Sequence, residues 1–109
     1  MLRAVCESDW EGVDKALEEG WDINAGVELH RGLNSIAIAA EINNLEMVHY
    51  LHLKGADINM QSGVFKTTPL MAATMMWNTK IVEYFLYKGV DLKVTNIHGF
   101  TALQLAEFK

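Results

Sequence analysis

His49 and His52 stand three residues apart with Glu46 one turn earlier, a spacing that on a helix offers two imidazoles and a carboxylate to one metal ion. Alignment with two similar segments of the chain argues against that chemistry. His49 falls in line with Asp14 and Glu83, which are solvent positions, and His52 with Leu17 and Leu86, which read as core, so the two rings are expected to point apart. No metal site is predicted. An imidazole in a leucine slot, near its unperturbed pKa of about 6.5, makes stability sensitive to pH. Cys6 has no histidine evident to activate it and reads as a buried or half-exposed thiol, not a nucleophile. Gly63 and Gly99 are isolated glycines outside any phosphate-cradling pattern. Catalytic residues and cofactors are therefore not expected, and the chain is read as a non-enzyme.

The chain has 109 residues, enough for one domain. Half of them are apolar and 21% are charged, a balance that folds and does not stay disordered. The longest apolar runs, IAIAA at 36–40 and PLMAA at 69–73, fall far short of the roughly 20 residues of a bilayer span, so no membrane anchor or signal peptide is expected. A single cysteine fits a reducing compartment and hence a cytoplasmic protein. The net charge of −5 is unevenly placed. Residues 1–29 hold eight acids against Arg3 and Lys15, whereas the rest holds six acids against seven bases. Neither part presents the basic stripe that nucleic acid requires.

These side chains are positioned by a repeat. EEGWDIN at 18–24 recurs as LKGADIN at 53–59 and YKGVDLK at 87–93. Each glycine follows a helical pattern, with Val13, Val48 and Val82 in register, at a place where positive φ closes a helix and only Gly avoids a Cβ clash. Val48 and Leu51, then Val82, Phe85 and Leu86, follow the i, i+3, i+4 spacing of an amphipathic helix. A second apolar stretch lies upstream at 34–40 and 67–73, and a last copy, FTALQLA, fills 100–106. Thr68-Pro69 is a start signal, a hydroxyl cap followed by Pro at the first helical position. Ala39, Ala40, Ala72 and Ala73 let these helices approach closely.

The period, the Thr68-Pro69-Leu70-Met71 and Thr101-Ala102-Leu103-Gln104 segments, and the Gly-x-Asp-apolar-Asn tails resemble ankyrin repeats. Asn34-Ser35-Ile36-Ala37 is degenerate, and Lys93 replaces the last Asn. The resemblance implies an all-α solenoid of stacked helix-turn-helix units: a half repeat at 1–29, repeats at 30–62 and 63–95, and a half repeat at 96–109. It further implies a non-catalytic module that binds a partner protein with its concave face and loop tips. Carried over by register, the partner-binding candidates are Arg31, Leu33 and Ile42; Val64, Phe65, Met75, Met76 and Trp77; and Ile97, His98, Phe100 and Phe108. Trp77 stands where the family usually has a glycine between helices, and Arg31, Glu41 and Lys66 would supply a polar rim. Such a row of Met and aromatic side chains is what hot spots use. The competing outcome is that longer loops fold these side chains back into the core. Two other functional readings stand beside this one. The acidic first repeat would block a basic surface of a partner enzyme or nucleic-acid-binding protein, or the chain would form a homodimer through its C-terminal end or its apolar patch.

Overall fold

A computed structural model describes residues 2–27 and 30–107. Among the described residues seven helices dominate: α1 (Leu2–Cys6), α2 (Trp10–Glu18), α3 (Ser35–Glu41), α4 (Leu45–Leu53), α5 (Pro69–Met75), α6 (Thr79–Tyr87) and α7 (Ala102–Glu107). They form the pairs α1/α2, α3/α4 and α5/α6, with α7 beginning a fourth unit. The inner helices α1, α3, α5 and α7 stack in one row, the outer helices α4 and α6 pack side by side behind them, and the assembly measures 39 × 25 × 20 Å. Two short strands, β1 (Gly26–Val27) and β2 (Leu33–Asn34), pair antiparallel in the loop before α3. A bridge between Ser62 and Thr67 forms the matching turn before α5.

The start and stop signals act where the sequence places them. Asn34 and Thr68 cap α3 and α5 by accepting from Ala37 N and Met71 N, and Asp9 caps α2 by accepting from Gly12 N. Past α4, Gly55 N donates to His52 O and Ala56 N to Leu51 O, closing the last turn through a left-handed glycine. The position joining the two helices of each pair also has positive φ, at Ser8, Asn43 and Trp77. Trp77 holds φ 59° where a glycine would be unstrained.

Between its neighbours α1 and α5, α3 is buried from Ser35 to Ala40. Its alanines allow the inner row to close up, and Ile36 and Ile38 fill the space beneath. Met47, Val48 and Leu51 of α4 and Ile81 and Phe85 of α6 complete the core. Polar bonds repeat with the same period. Asn24 Oδ1 accepts from Asp57 N at 2.9 Å, and Asn59 Oδ1 from Asp91 N at 2.7 Å. Lys93, which has no acceptor oxygen in its side chain, ends that row.

Two burial expectations are corrected. Leu86 is 49% exposed, because among the described residues only the inner helix α7 follows α6 and no outer helix covers its far side. Leu33, expected on the binding face, is 5% exposed. As the second residue of the hairpin pair with Val27, it turns its side chain toward the inner helices.

Candidate functional site

The loops before α3, α5 and α7 stand like fingers beside the inner helices, and their stacking is set by backbone. Gly32 and Gly63 meet so closely that a Cβ on Gly63 would lie 2.9 Å from the Arg31 carbonyl. Ile97 N donates to Phe65 O at 2.8 Å, and Gln61 Nε2 donates to Lys66 O and to Thr95 O, which ties the second and third fingers together. The first finger is fixed by charge. Glu41, at the end of α3, pairs with Arg31 through one carboxylate oxygen and lies 3.0 Å from His30 Nε2 through the other. The Arg31 backbone there is left-handed, φ 59°.

Between fingers and helices runs a groove of about 520 Å³. Arg31, Val64, Phe65, Met75, Met76, His98 and Phe100 line it, with Leu33 as part of its wall despite its burial. Val64 (66% exposed), Phe65 (52%), Met75 (50%) and Met76 (55%) stay open to solvent; they do not fold back into the core. The Phe65 and His98 rings lie 6.0 Å apart. Asn96 shapes the third finger by accepting from His98 N and Phe100 N.

The remaining candidates are distributed differently. Ile42 and Ile97 are exposed beside the groove without lining it. Trp77 belongs to another surface, an apolar recess of about 400 Å³ at the last unit, where it joins Leu86, Leu92 and Leu103. Phe108 lies outside the described residues. Ala72, Asn96 and Leu105 line the groove without having been anticipated. Leu105 occupies in α7 the place Ala72 occupies in α5, so the 33-residue alignment of Thr68 with Thr101 carries the signal.

The outer helices carry a second set of side chains in repeating rungs. On the first rung the Tyr50 hydroxyl donates to Asp14 Oδ1 at 2.6 Å, and Lys54 Nζ lies 3.3 Å from the same oxygen and 5.3 Å from the Tyr50 ring centroid. The Tyr50 hydroxyl, then the Lys54 ammonium, hold the Asp14 carboxyl below its ordinary range, and the carboxylate raises the Tyr50 phenol and the Lys54 ammonium in return. On the second rung Tyr84 replaces Tyr50, and its hydroxyl is 3.2 Å from His49 Nδ1 and 2.9 Å from His52 Nδ1. His49 is exposed and His52 half-buried, as their register implies, but the expectation that the rings point apart is corrected: Tyr84, one repeat on, reaches between them. Burial, then Lys88 and His49, depress the His52 pKa, and burial raises that of Tyr84. Among the described residues no group of three or more His, Cys, Asp or Glu side chains is arranged to hold a metal ion. Cys6 is exposed. No described helix is long and apolar enough to cross a membrane.

Residues 36–108 match the family model for ankyrin repeats in three copies. Among similar proteins, the BRCA1-associated RING domain protein 1 of Caenorhabditis elegans is 38% identical over 84% of this chain and 13% of its own length. The ankyrin repeat and SAM domain-containing protein 6 of Rattus norvegicus is 38% identical over 68% of this chain and 8% of its own. The B-cell lymphoma 3 protein homolog of Mus musculus is 35% identical over 88% of this chain and 21% of its own. The chain thus spans between about a twelfth and a fifth of the length of these relatives.

Proposed function

We propose that this chain, which belongs to the ankyrin-repeat family, captures a partner protein in the groove between its finger loops and inner helices. Ankyrin repeats are generally protein-interaction modules, and the repeat is an interaction fold, not a catalytic one. One observation carries the placement: four large apolar side chains, Val64, Phe65, Met75 and Met76, are each at least half exposed along a single groove. The stack gains little from keeping them there, and a partner that covered them would gain the burial. Arg31, Glu41 and His98 supply the polar edge that orients such a partner. With its one exposed thiol, the protein is proposed to work in the reducing environment of the cytoplasm.

Affinity capture from a native cell extract, with Phe65→Ser/Met76→Ser as control, tests the proposal. A partner retained equally by both proteins would refute the placement. Blockade of a basic surface by the acidic first repeat draws less support, because several of its acids are already engaged. Asp9 caps α2, Asp14 serves Tyr50 and Lys54, Asp22 folds its own turn, and Glu7 pairs with Arg3. Capture driven by those charges would collapse at high salt, whereas apolar docking would persist. A homodimer through the last unit is supported by the exposure of Leu92 (57%) and Leu103 (71%), and a monomer at every concentration in light scattering would dismiss it.

A further inference from the structure

The two rungs on the outer helices differ in one component. Asp14 and Tyr50, with Lys54, form a complete set: one carboxylate, one hydroxyl donor and one ammonium. Thirty-four residues on, the hydroxyl and the ammonium recur as Tyr84 and Lys88, and Lys88 Nζ again lies over the tyrosine ring, at 5.7 Å. Asp14 has no counterpart, because His49 occupies its place in the register. The Tyr84 hydroxyl meets the Nδ1 atoms of His49 and His52, and among the described residues no carboxylate forms an ion pair with Lys88. Glu46 on α4 and Glu83 on α6 are the other carboxylates of these helices; both are exposed, and neither forms an ion pair with Lys88 or either imidazole.

We infer that His49, His52, Tyr84 and Lys88 receive a carboxylate from an acidic peptide segment of a partner. The molecule supplies its own template, since Asp14 shows how a carboxylate seats on a tyrosine hydroxyl and a lysine of this spacing. Beside the cluster lies an open depression of about 560 Å³ lined by Trp10, Leu45, Tyr50 and Tyr84, together with Glu46 and His49. Its apolar lining selects a segment whose acid is adjacent to an aliphatic residue, and distinguishes it from a simple anion. The incoming carboxylate accepts from Tyr84 and Lys88, and a proton taken up by the half-buried His52 adds attraction, so binding strengthens as pH falls. This surface lies on the outer helices, apart from the finger groove, and its occupancy is independent of the capture proposed above.

The histidines divide between the two surfaces, which makes the test direct. His49 and His52 report the outer cluster, whereas His30 and His98 belong to the groove and its edge. The tetrapeptide acetyl-Leu-Glu-Leu-Glu-amide is titrated into the protein while the imidazole Cε1 protons are followed by NMR at pH 6 and pH 8. Saturable shifts confined to His49 and His52, tighter at pH 6, are expected. The Gln isostere acetyl-Leu-Gln-Leu-Gln-amide should bind about tenfold more weakly, the loss of roughly one charge-assisted hydrogen bond. Shifts at His30 and His98 instead, equal binding of the Gln peptide, or equal shifts with inorganic phosphate would each overturn the inference. Lys88→Gln should lose the response. His49→Asp supplies the absent carboxylate from within, so it should abolish peptide binding and raise the unfolding midpoint; a His49→Asp protein that binds like the parent would also overturn it.

Discussion

Replacing Gly63 by alanine, with Gly89→Ala as its partner experiment, separates two costs that glycine substitutions usually mix. The two residues have nearly the same backbone, φ 77° and φ 74°. A left-handed conformation costs a non-glycine residue about 1–2 kcal/mol, and the stiffer unfolded chain returns about 0.4–1, leaving a net loss of roughly 1 kcal/mol at either site. The surroundings differ. Nothing lies within 4 Å of a Cβ built on Gly89, whereas one on Gly63 meets the Arg31 carbonyl oxygen at 2.9 Å and Leu33 Cδ2 at 3.2 Å. The first of these is backbone and cannot rotate away, so the fingers must separate, at an overpacking cost of about 1–3 kcal/mol more. Guanidinium unfolding should therefore show Gly89→Ala down by about 1 kcal/mol and Gly63→Ala by about 2–4. Partner capture should weaken for Gly63→Ala alone, because its finger carries Val64 and Phe65 into the groove. Equal destabilisation of the two variants would refute the close stacking of fingers, and with it the rigidity assigned to the groove.

Further outcomes follow from single contacts. Phe65 is 52% exposed, so a partner that covers it buries about 100 Å² more; at ~25 cal/mol/Å² that is about 2.5 kcal/mol, and Phe65→Ala should weaken capture roughly 60-fold in a binding titration while circular dichroism stays unchanged. Asn59→Ala leaves Asp91 N without its acceptor and should cost about 1 kcal/mol in chemical denaturation; no loss would show that the inter-repeat row is incidental. For His52 the folded pKa lies below its ordinary 6.5, so the unfolded chain binds the proton more readily. Its contribution is intact above that value and lost as pH falls through 6.5 toward the folded pKa. Between pH 7.5 and 5.5 the parent should lose more melting temperature than His52→Leu, and equal losses would remove His52 as a cause. Asp14 acts in a lower window, with its stabilisation present above 3.8 and lost as pH falls through its depressed folded value, so Asp14→Asn should flatten the profile only there.

The elements were legible because each is marked locally. Asn34 and Thr68 announce helices, Gly20, Gly55 and Gly89 end them, and the spacing of Val48 with Leu51 shows the buried side. What a side chain meets across the gap between repeats is not marked locally. Leu33 and Val64 both fall in finger loops, yet pairing with Val27 turns the first inward while the second stays 66% exposed. Register alone places Trp77 on the binding face with Met75 and Met76, but at its left-handed φ the indole lines the recess of the last unit instead.

The histidines show where a fuller reading was within reach. Their own helix sets the direction of the two rings but not their meeting point, which is the Tyr84 hydroxyl supplied by the next repeat. The same step of one repeat links Tyr50 to Asp14. In a solenoid the informative alignment is therefore offset: the phenol of one unit compared with the acid or imidazole positions of the unit before. Read in that way, the sequence shows Tyr50 facing a carboxylate and Tyr84 facing two imidazoles. The chemical difference between the rungs thus lies in the pairing of neighbouring repeats, and in neither repeat alone.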